Sequence, residues 1–99
     1  MTVSLRFMLN LKTTPDLSLG KKTVTIELDD GLTFGELLRG LDRHFGPALA
    51  DEIYDSQNHS MRETAKPIIN GSPLHSLDGI DTVLHQGDSI LFIPLITAG

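Results

Sequence analysis

The sequence predicts an α+β fold in which one amphipathic helix packs across a mixed β-sheet. Two observations carry this prediction. Apolar and polar residues alternate over residues 3–11 and again over residues 23–28, which is typical of strands that bury one face. Residues 32–47 then show the three-to-four-residue spacing of a helix with one apolar side.

The first two alternating runs are expected to form an antiparallel hairpin. The inward positions of the first run are Val3, Leu5, Phe7, Leu9 and Leu11. Met8 is the apolar exception on the outer face of this predicted strand. Segment 12–22, with Pro15, Asp16 and Gly20, breaks the alternation and is predicted to be a loop.

The helix prediction is supported at both ends. Thr33 and Glu36 have the spacing of a capping box, in which each side chain satisfies a free backbone N–H of the other residue. Gly46 and Pro47 provide a stop signal. The apolar face consists of Phe34, Leu37, Leu38, Leu41 and Phe45.

The second half of the chain carries weaker signals. Residues 47–55 are predicted to form a short helix with Leu49 and Ile53 buried, and residues 56–66 a loop. A short strand then leads into Asn70-Gly71, which is a strong two-residue hairpin signal. A turn at Gly87-Asp88 precedes the final apolar strand, residues 90–93.

This order of elements predicts the sheet topology. Because the main helix lies between the hairpin and the last strand, the last strand can return parallel to the first through a right-handed crossover. The helix then covers one face of the sheet and buries both apolar surfaces. This is the β-grasp, or ubiquitin-like, arrangement.

Length and composition narrow the function classes. Ninety-nine residues predict one domain, residues 1–99, with a tail at 94–99. The net charge of −5 disfavours nucleic-acid binding, which needs a basic surface. We expect a cytoplasmic protein without membrane contact, because no apolar run is long enough for a span and no signal peptide is evident. The absence of cysteine fits a reducing compartment.

The sequence contains no catalytic or metal-binding pattern. The four histidines, His44, His59, His75 and His85, lack the spacing of a metal site. No serine has the glycines of a nucleophile elbow, and no glycine-rich phosphate loop occurs. We therefore expect a protein that is not an enzyme on its own, binds no metal or cofactor, and acts through a partner.

The C-terminal sequence "IPLITAG" is the most unusual segment. Pro94 lacks an N–H and ends strand pairing, so the chain should leave the sheet there. Leu95, Ile96 and Thr97 favour an extended backbone, whereas Ala98 and Gly99 have almost no side chain. Such a tail fits a narrow channel and can present its terminal carboxylate to another protein. From the residues alone, an apolar end without function is equally compatible.

The spacing of the C-terminal half resembles the small subunit of molybdopterin synthase, one of the ubiquitin-like sulfur carriers related to the thiamine-biosynthesis carrier. The resemblance rests on the Asn70-Gly71 turn, the segment with Leu77, Gly79, Thr82 and Leu84, then Gly87-Asp88 and Pro94. The helix sequence "GLTFGELLRGLDRHFG" also fits the family.

The resemblance implies a function. In that family, an ATP-dependent enzyme of the ubiquitin-activating type adenylates the terminal glycine, here Gly99, and sulfur transfer gives a thiocarboxylate. The tail then enters the large subunit of molybdopterin synthase. By this resemblance Pro94, Leu95, Ile96, Thr97 and Ala98 contact the partner. Met8, on the outer face, is expected to extend the partner-binding surface.

One departure from the family keeps alternatives open. Ala98 replaces the penultimate glycine, and its methyl group narrows the clearance in a channel shaped for two glycines. Two other functions remain: a ubiquitin-like modifier joined to lysines of other proteins, and a diverged β-grasp binding module with an inert tail.

Overall fold

The computed structural model describes residues 1–55, 57–58, 60–62 and 65–94. It confirms the predicted α+β, β-grasp fold. The strands are β1 (Thr2–Phe7), β2 (Val24–Glu27), β3 (Tyr54–Asp55), β4 (Ser60–Met61), β5 (Lys66–Ile69), β6 (Ser72–Pro73) and β7 (Ser89–Ile93). The α-helices are α1 (Phe34–Phe45) and α2 (Pro47–Ile53). Short 3₁₀ segments occupy Pro15–Gly20, Leu74–Ser76 and Gly79–Asp81.

The main sheet has the strand order β2-β1-β7-β5-β6. Strands β1 and β7 are parallel and lie at its centre, as predicted from the order of the elements. The β1–β2, β7–β5 and β5–β6 pairs are antiparallel. The chain after β7 therefore leaves from the middle of the sheet.

The main core lies between this sheet and α1. Its fully buried aromatic residues are Phe7, Phe34 and Phe92, and the predicted inward residues Leu37, Leu38 and Leu41 of α1 are buried against them. Phe45 is only half-buried because it lies in the last turn of the helix. Leu49 and Ile53 of α2 are fully buried, as predicted.

The structure confirms the predicted capping box at the start of α1 and the predicted turn at Asn70-Gly71. The Thr33 hydroxyl accepts a hydrogen bond from the Glu36 N–H at 3.2 Å, and the Glu36 carboxylate accepts one from the Thr33 N–H at 3.2 Å. Asn70 and Gly71 have φ values of 50° and 86°, which matches the two positive φ angles of a type I′ turn.

Three boundaries differ from the sequence prediction. The short helix predicted over residues 47–55 ends at Ile53, because Tyr54 and Asp55 are extended and pair with β4 as strand β3. Strand β1 ends at Phe7 rather than continuing to Leu11, although Leu9 and Leu11 remain buried beyond its end. Segment 56–66 was expected to be a loop, yet it contributes β4, which pairs with β3 as a separate two-stranded sheet. Strands of two residues are too short to give an alternating pattern.

Candidate partner-binding site

The base of the predicted tail is fixed by the two central strands. Phe92 of β7 lies opposite Phe7 of β1, and Ile93 lies opposite Lys66 of β5. Strand β7 ends at Ile93, one residue before Pro94, which is half-buried. Leu95, Ile96, Thr97, Ala98 and Gly99, the other predicted tail residues, lie outside the described residues.

Met8 lies beside the end of β7. Its backbone N–H donates a hydrogen bond of 2.8 Å to the carbonyl oxygen of Phe92, and 36% of its side chain is exposed. The prediction of an exposed Met8 is therefore confirmed. Its placement within the first strand is wrong, because β1 ends one residue earlier. Met8 is thus held where the chain leaves the sheet.

The outer face of the sheet next to Met8 is apolar. The alternation of β7 turns Ile90 and Phe92 into the core, so Leu91 and Ile93 face outward and are half-buried. Leu91 lies opposite Ile68 of β5, which also faces outward. We call this group the tail-end surface; it consists of Met8, Ile68, Leu91, Ile93 and Pro94.

Cationic side chains border the tail-end surface. Arg6 is exposed and lies opposite Leu91 on the β1 side, whereas Lys66 lies opposite Ile93 on the β5 side. An apolar centre with positive borders favours a partner surface that is apolar with acidic groups around it. This local charge is opposite to the net charge of the chain, −5.

Leu19 extends this region, and the sequence analysis did not identify it. Its side chain is 59% exposed, and its φ of 56° is uncommon for a leucine. Its N–H donates to the Leu9 carbonyl oxygen at 2.9 Å. A Cβ atom at the next residue, Gly20, would lie 2.5 Å from the Met8 sulfur, so this loop packs directly under Met8. In the sequence, the only indication of this role was that Leu19 stands between two small residues, Ser18 and Gly20, in a polar loop.

Two side chains hold the loop in place. The buried Ser18 hydroxyl accepts a hydrogen bond from the Leu11 N–H at 2.7 Å and donates to the Leu11 carbonyl at 3.0 Å. The Glu52 carboxylate of α2 accepts from the N–H groups of Lys12 and Thr13 at 2.9 and 2.7 Å. These bonds fix the loop relative to both the first strand and α2.

The Glu52 carboxylate also accepts a bond from the Thr13 hydroxyl at 2.5 Å. Partial burial would raise the pKa of Glu52, but this hydroxyl, the two backbone N–H groups and the charge of Lys12 together hold that pKa below its usual 4.5. The anchor of the loop is therefore an ionised carboxylate over the neutral pH range.

Within the part of the chain that the structure describes, no three His, Cys, Asp or Glu side chains form a group that could hold a metal ion. None of the helices in that part is long and apolar enough to cross a membrane.

The chain was compared with known proteins. No family model matches it. Small archaeal modifier protein 3 of Haloferax volcanii is 28% identical over 80 residues, which span 81% of this chain and 84% of that protein.

Solved structures share the fold over the whole domain. Small archaeal modifier protein 1 of Methanosarcina acetivorans has a TM-score of 0.70 at 21% identity, over 99% of this chain and 96% of that one. A putative molybdopterin converting factor subunit 1 from Pyrococcus furiosus has a TM-score of 0.63 at 14% identity, over 97% and 99% of the two chains. The chain has the ubiquitin-like β-grasp fold of these solved structures and is similar in sequence to small archaeal modifier protein 3.

Proposed function

We propose that this chain is a sulfur carrier, most like the small subunit of molybdopterin synthase, and that the carboxylate of Gly99 is its reacting group. An activating enzyme of the ubiquitin-activating type would use ATP to convert this carboxylate into an acyl-adenylate, with release of pyrophosphate. A sulfur donor on that enzyme would then displace AMP, and the product would be a C-terminal thiocarboxylate.

The chemistry needs little from the carrier itself. A carboxylate is a poor electrophile until adenylation supplies a good leaving group, and the activating enzyme provides that step. The carrier must present its terminus and bind its partner. This division of labour agrees with the proteins that the chain resembles, which are small modifiers and carriers rather than enzymes.

The observation that supports the proposal most is the exit point of the chain. Strand β7 lies at the centre of the sheet, and the chain passes Pro94 next to the exposed Met8 and the apolar Leu91 and Ile93. A partner that receives the following residues would therefore meet a contact surface at their base. From the resemblance of the C-terminal half, we propose the large subunit of molybdopterin synthase as the second partner, after the activating enzyme.

A second candidate function has its own support. The 28% identical relative is named as a modifier protein, which favours attachment to lysines of other proteins. Both functions begin with the same adenylate and differ in the nucleophile, which is sulfur in one and a lysine amine in the other. The third function, a binding module with an inert tail, requires no adenylate.

ATP–pyrophosphate exchange tests the shared first step. The full chain is incubated with a ubiquitin-activating-type enzyme from its own genome, ATP and labelled pyrophosphate. The sulfur-carrier function and the modifier function both predict that label is incorporated into ATP. This incorporation should require the chain and should be lost when Gly99 is deleted. No exchange, with an enzyme that is active on another carrier, would contradict both and favour the binding module.

A further inference from the structure

A second exposed apolar cluster lies at the other end of the molecule. Leu77, Ile80 and Val83 are 39%, 40% and 46% exposed and belong to one segment between β6 and β7. Leu77 and Val83 line the same open cleft, together with Asn70 and His85. We call these three residues the far-end patch, because they lie beyond the start of β7 whereas the tail-end surface lies at its end.

The backbone under the far-end patch is firmly held. Val83 forms a bridge with Thr33, and the flanking N–H groups of Phe34 and Leu84 donate to the carbonyls of Thr82 and Leu32, each at 2.8 Å. The patch therefore lies against the start of α1.

Gly35 of α1 lies directly against Ile80. A Cβ atom at Gly35 would lie 3.1 Å from the Ile80 carbonyl oxygen and 3.3 Å from the Ile80 Cβ. The helix backbone thus packs directly against Ile80. Apolar side chains that stay exposed on a rigid backbone are typical of a preformed contact surface.

The charged side chains on the segment that carries the far-end patch are acidic. Residues 27–38 and 70–90, which include the segments at this end, contain neither lysine nor arginine. The exposed acidic side chains of these two segments are Glu27, Asp29, Asp30, Glu36, Asp78 and Asp81, of which Asp78 and Asp81 belong to the segment that carries the patch. The α-ammonium group of Met1, 3.2 Å from Asp30, is a cation at this end. Glu27, Asp29 and Glu36 line a second cleft together with Arg39 and Arg43. The acidic border of the patch therefore consists of Asp78, which lines the cleft of Leu77 and Val83, and of Asp81.

We propose that the far-end patch is a second docking surface, and that its occupant is a protein surface with an apolar centre and a lysine- or arginine-rich border. Apolar burial would supply affinity, whereas the acidic border would select the partner and speed association. The surface lies away from Met8 and Pro94, so it would stay accessible while the tail end is bound. The proposal does not depend on any chemistry at Gly99.

A second copy of the chain fits this patch less well. It would have to contribute its tail-end surface, which has the positive border. Such a head-to-tail contact leaves one free surface at each end and would continue into filaments. Self-association is therefore an outcome that the test must detect.

An NMR titration of the isotope-labelled full chain tests the proposal. The probes are three peptides: an amphipathic helix of leucine and lysine, its leucine–glutamate counterpart, and a lysine–serine peptide of the same charge. We expect the leucine–lysine peptide to shift the amides of residues 32–36 and 77–84. The other two peptides should bind much more weakly.

Matched variants separate the apolar and the charge contributions. Val83→Ser should weaken binding of the leucine–lysine peptide by about five-fold, and Val83→Ile should retain it. Asp78→Asn with Asp81→Asn should weaken binding and reduce its salt dependence. Asp16→Asn with Asp51→Asn changes the net charge equally but lies elsewhere, so it should have little effect.

Three results would overturn the proposal. The first is a peptide titration in which the amide shifts concentrate on the tail-end surface. The second is equal binding of the lysine and glutamate peptides, or equal loss in both pairs of aspartate variants. The third is concentration-dependent sedimentation of the chain alone that Val83→Ser abolishes, which would assign the patch to a second copy.

Discussion

The rings of Phe7 and Phe92 stack with a centroid distance of 4.8 Å and an angle of 6° between their planes. They come from the two central strands, and both side chains are fully buried. Because Phe92 lies two residues before Pro94, this stack fixes the point at which the chain leaves the sheet. The same ring contact therefore stabilises the fold and determines where the proposed tail begins.

Removing one ring of this stack should therefore be costly. Phe92→Ala is expected to lower the free energy of unfolding by about 3–5 kcal/mol, because it removes a buried aromatic side chain and leaves a cavity. Ile93→Ala, at the next and half-exposed position, should cost clearly less. Chemical denaturation measures both variants. Equal losses would show that Phe92 is not a principal core residue.

Two glycines of α1 should respond differently to the same substitution. Nothing lies within 4 Å of a Cβ atom at Gly40, so Gly40→Ala should stabilise the protein by about 1 kcal/mol through helix propensity. At Gly35 the new methyl group would press on Ile80, and the gain should be reduced or reversed. Thermal and chemical unfolding of the two variants checks this. A larger gain at Gly35 than at Gly40 would contradict the described contact.

The hydrogen bonds of Glu52 predict a pH dependence of the loop. Since its pKa is lower in the folded than in the unfolded chain, its contribution to stability is complete above the unfolded pKa. That contribution is lost as the pH falls through the folded pKa. Wild type should therefore exceed Glu52→Gln in stability at neutral pH, and the difference should shrink below about pH 4.

Denaturation at several pH values, with Glu36→Gln as the second carboxylate variant, measures this difference. Amide exchange of Lys12 and Thr13 gives a local readout. A difference between wild type and Glu52→Gln that grows on acidification would refute the assignment.

The position of Met8 predicts a partner contact. Met8→Glu places a negative charge in the apolar centre of the tail-end surface and should weaken binding to the activating enzyme by about ten-fold or more. Ala48→Glu makes the same change of charge at an exposed position of α2 and serves as the control. Titration calorimetry with the unmodified enzyme compares them. Equal affinities for wild type and Met8→Glu would place the contact elsewhere.

Most of the fold could be predicted because the deciding signals are local. The alternation around Leu5, the capping box of Thr33 and Glu36, and the Asn70-Gly71 turn each determine an element without help from distant residues. The two-residue strands β3 and β4 could not be predicted, since they depend on pairing across the chain.

The candidate site was only partly predictable. Met8 was identified because it interrupts an alternating pattern, and that signal is visible in the sequence. Leu19 was not identified, because its exposure depends on a loop conformation with a positive φ angle. Ile80 of the far-end patch was not identified either, because its position depends on packing against Gly35 across the fold. Periodicity carries no information on either property. The residues after Pro94 that the sequence analysis selected remain predictions.

Intact-protein mass spectrometry of the terminus tests the central claim most directly. The full chain is incubated with ATP, the cognate activating enzyme and a sulfur donor, beside a Gly99 deletion and Ala98→Gly. The sulfur-carrier proposal predicts that the native chain gains the mass difference of one sulfur replacing one oxygen, located at Gly99. The deletion should remain unmodified, and Ala98→Gly should react at least as well because it carries no methyl group. A native chain that keeps its mass, while a known carrier is converted in the same mixture, would contradict the sulfur-carrier function.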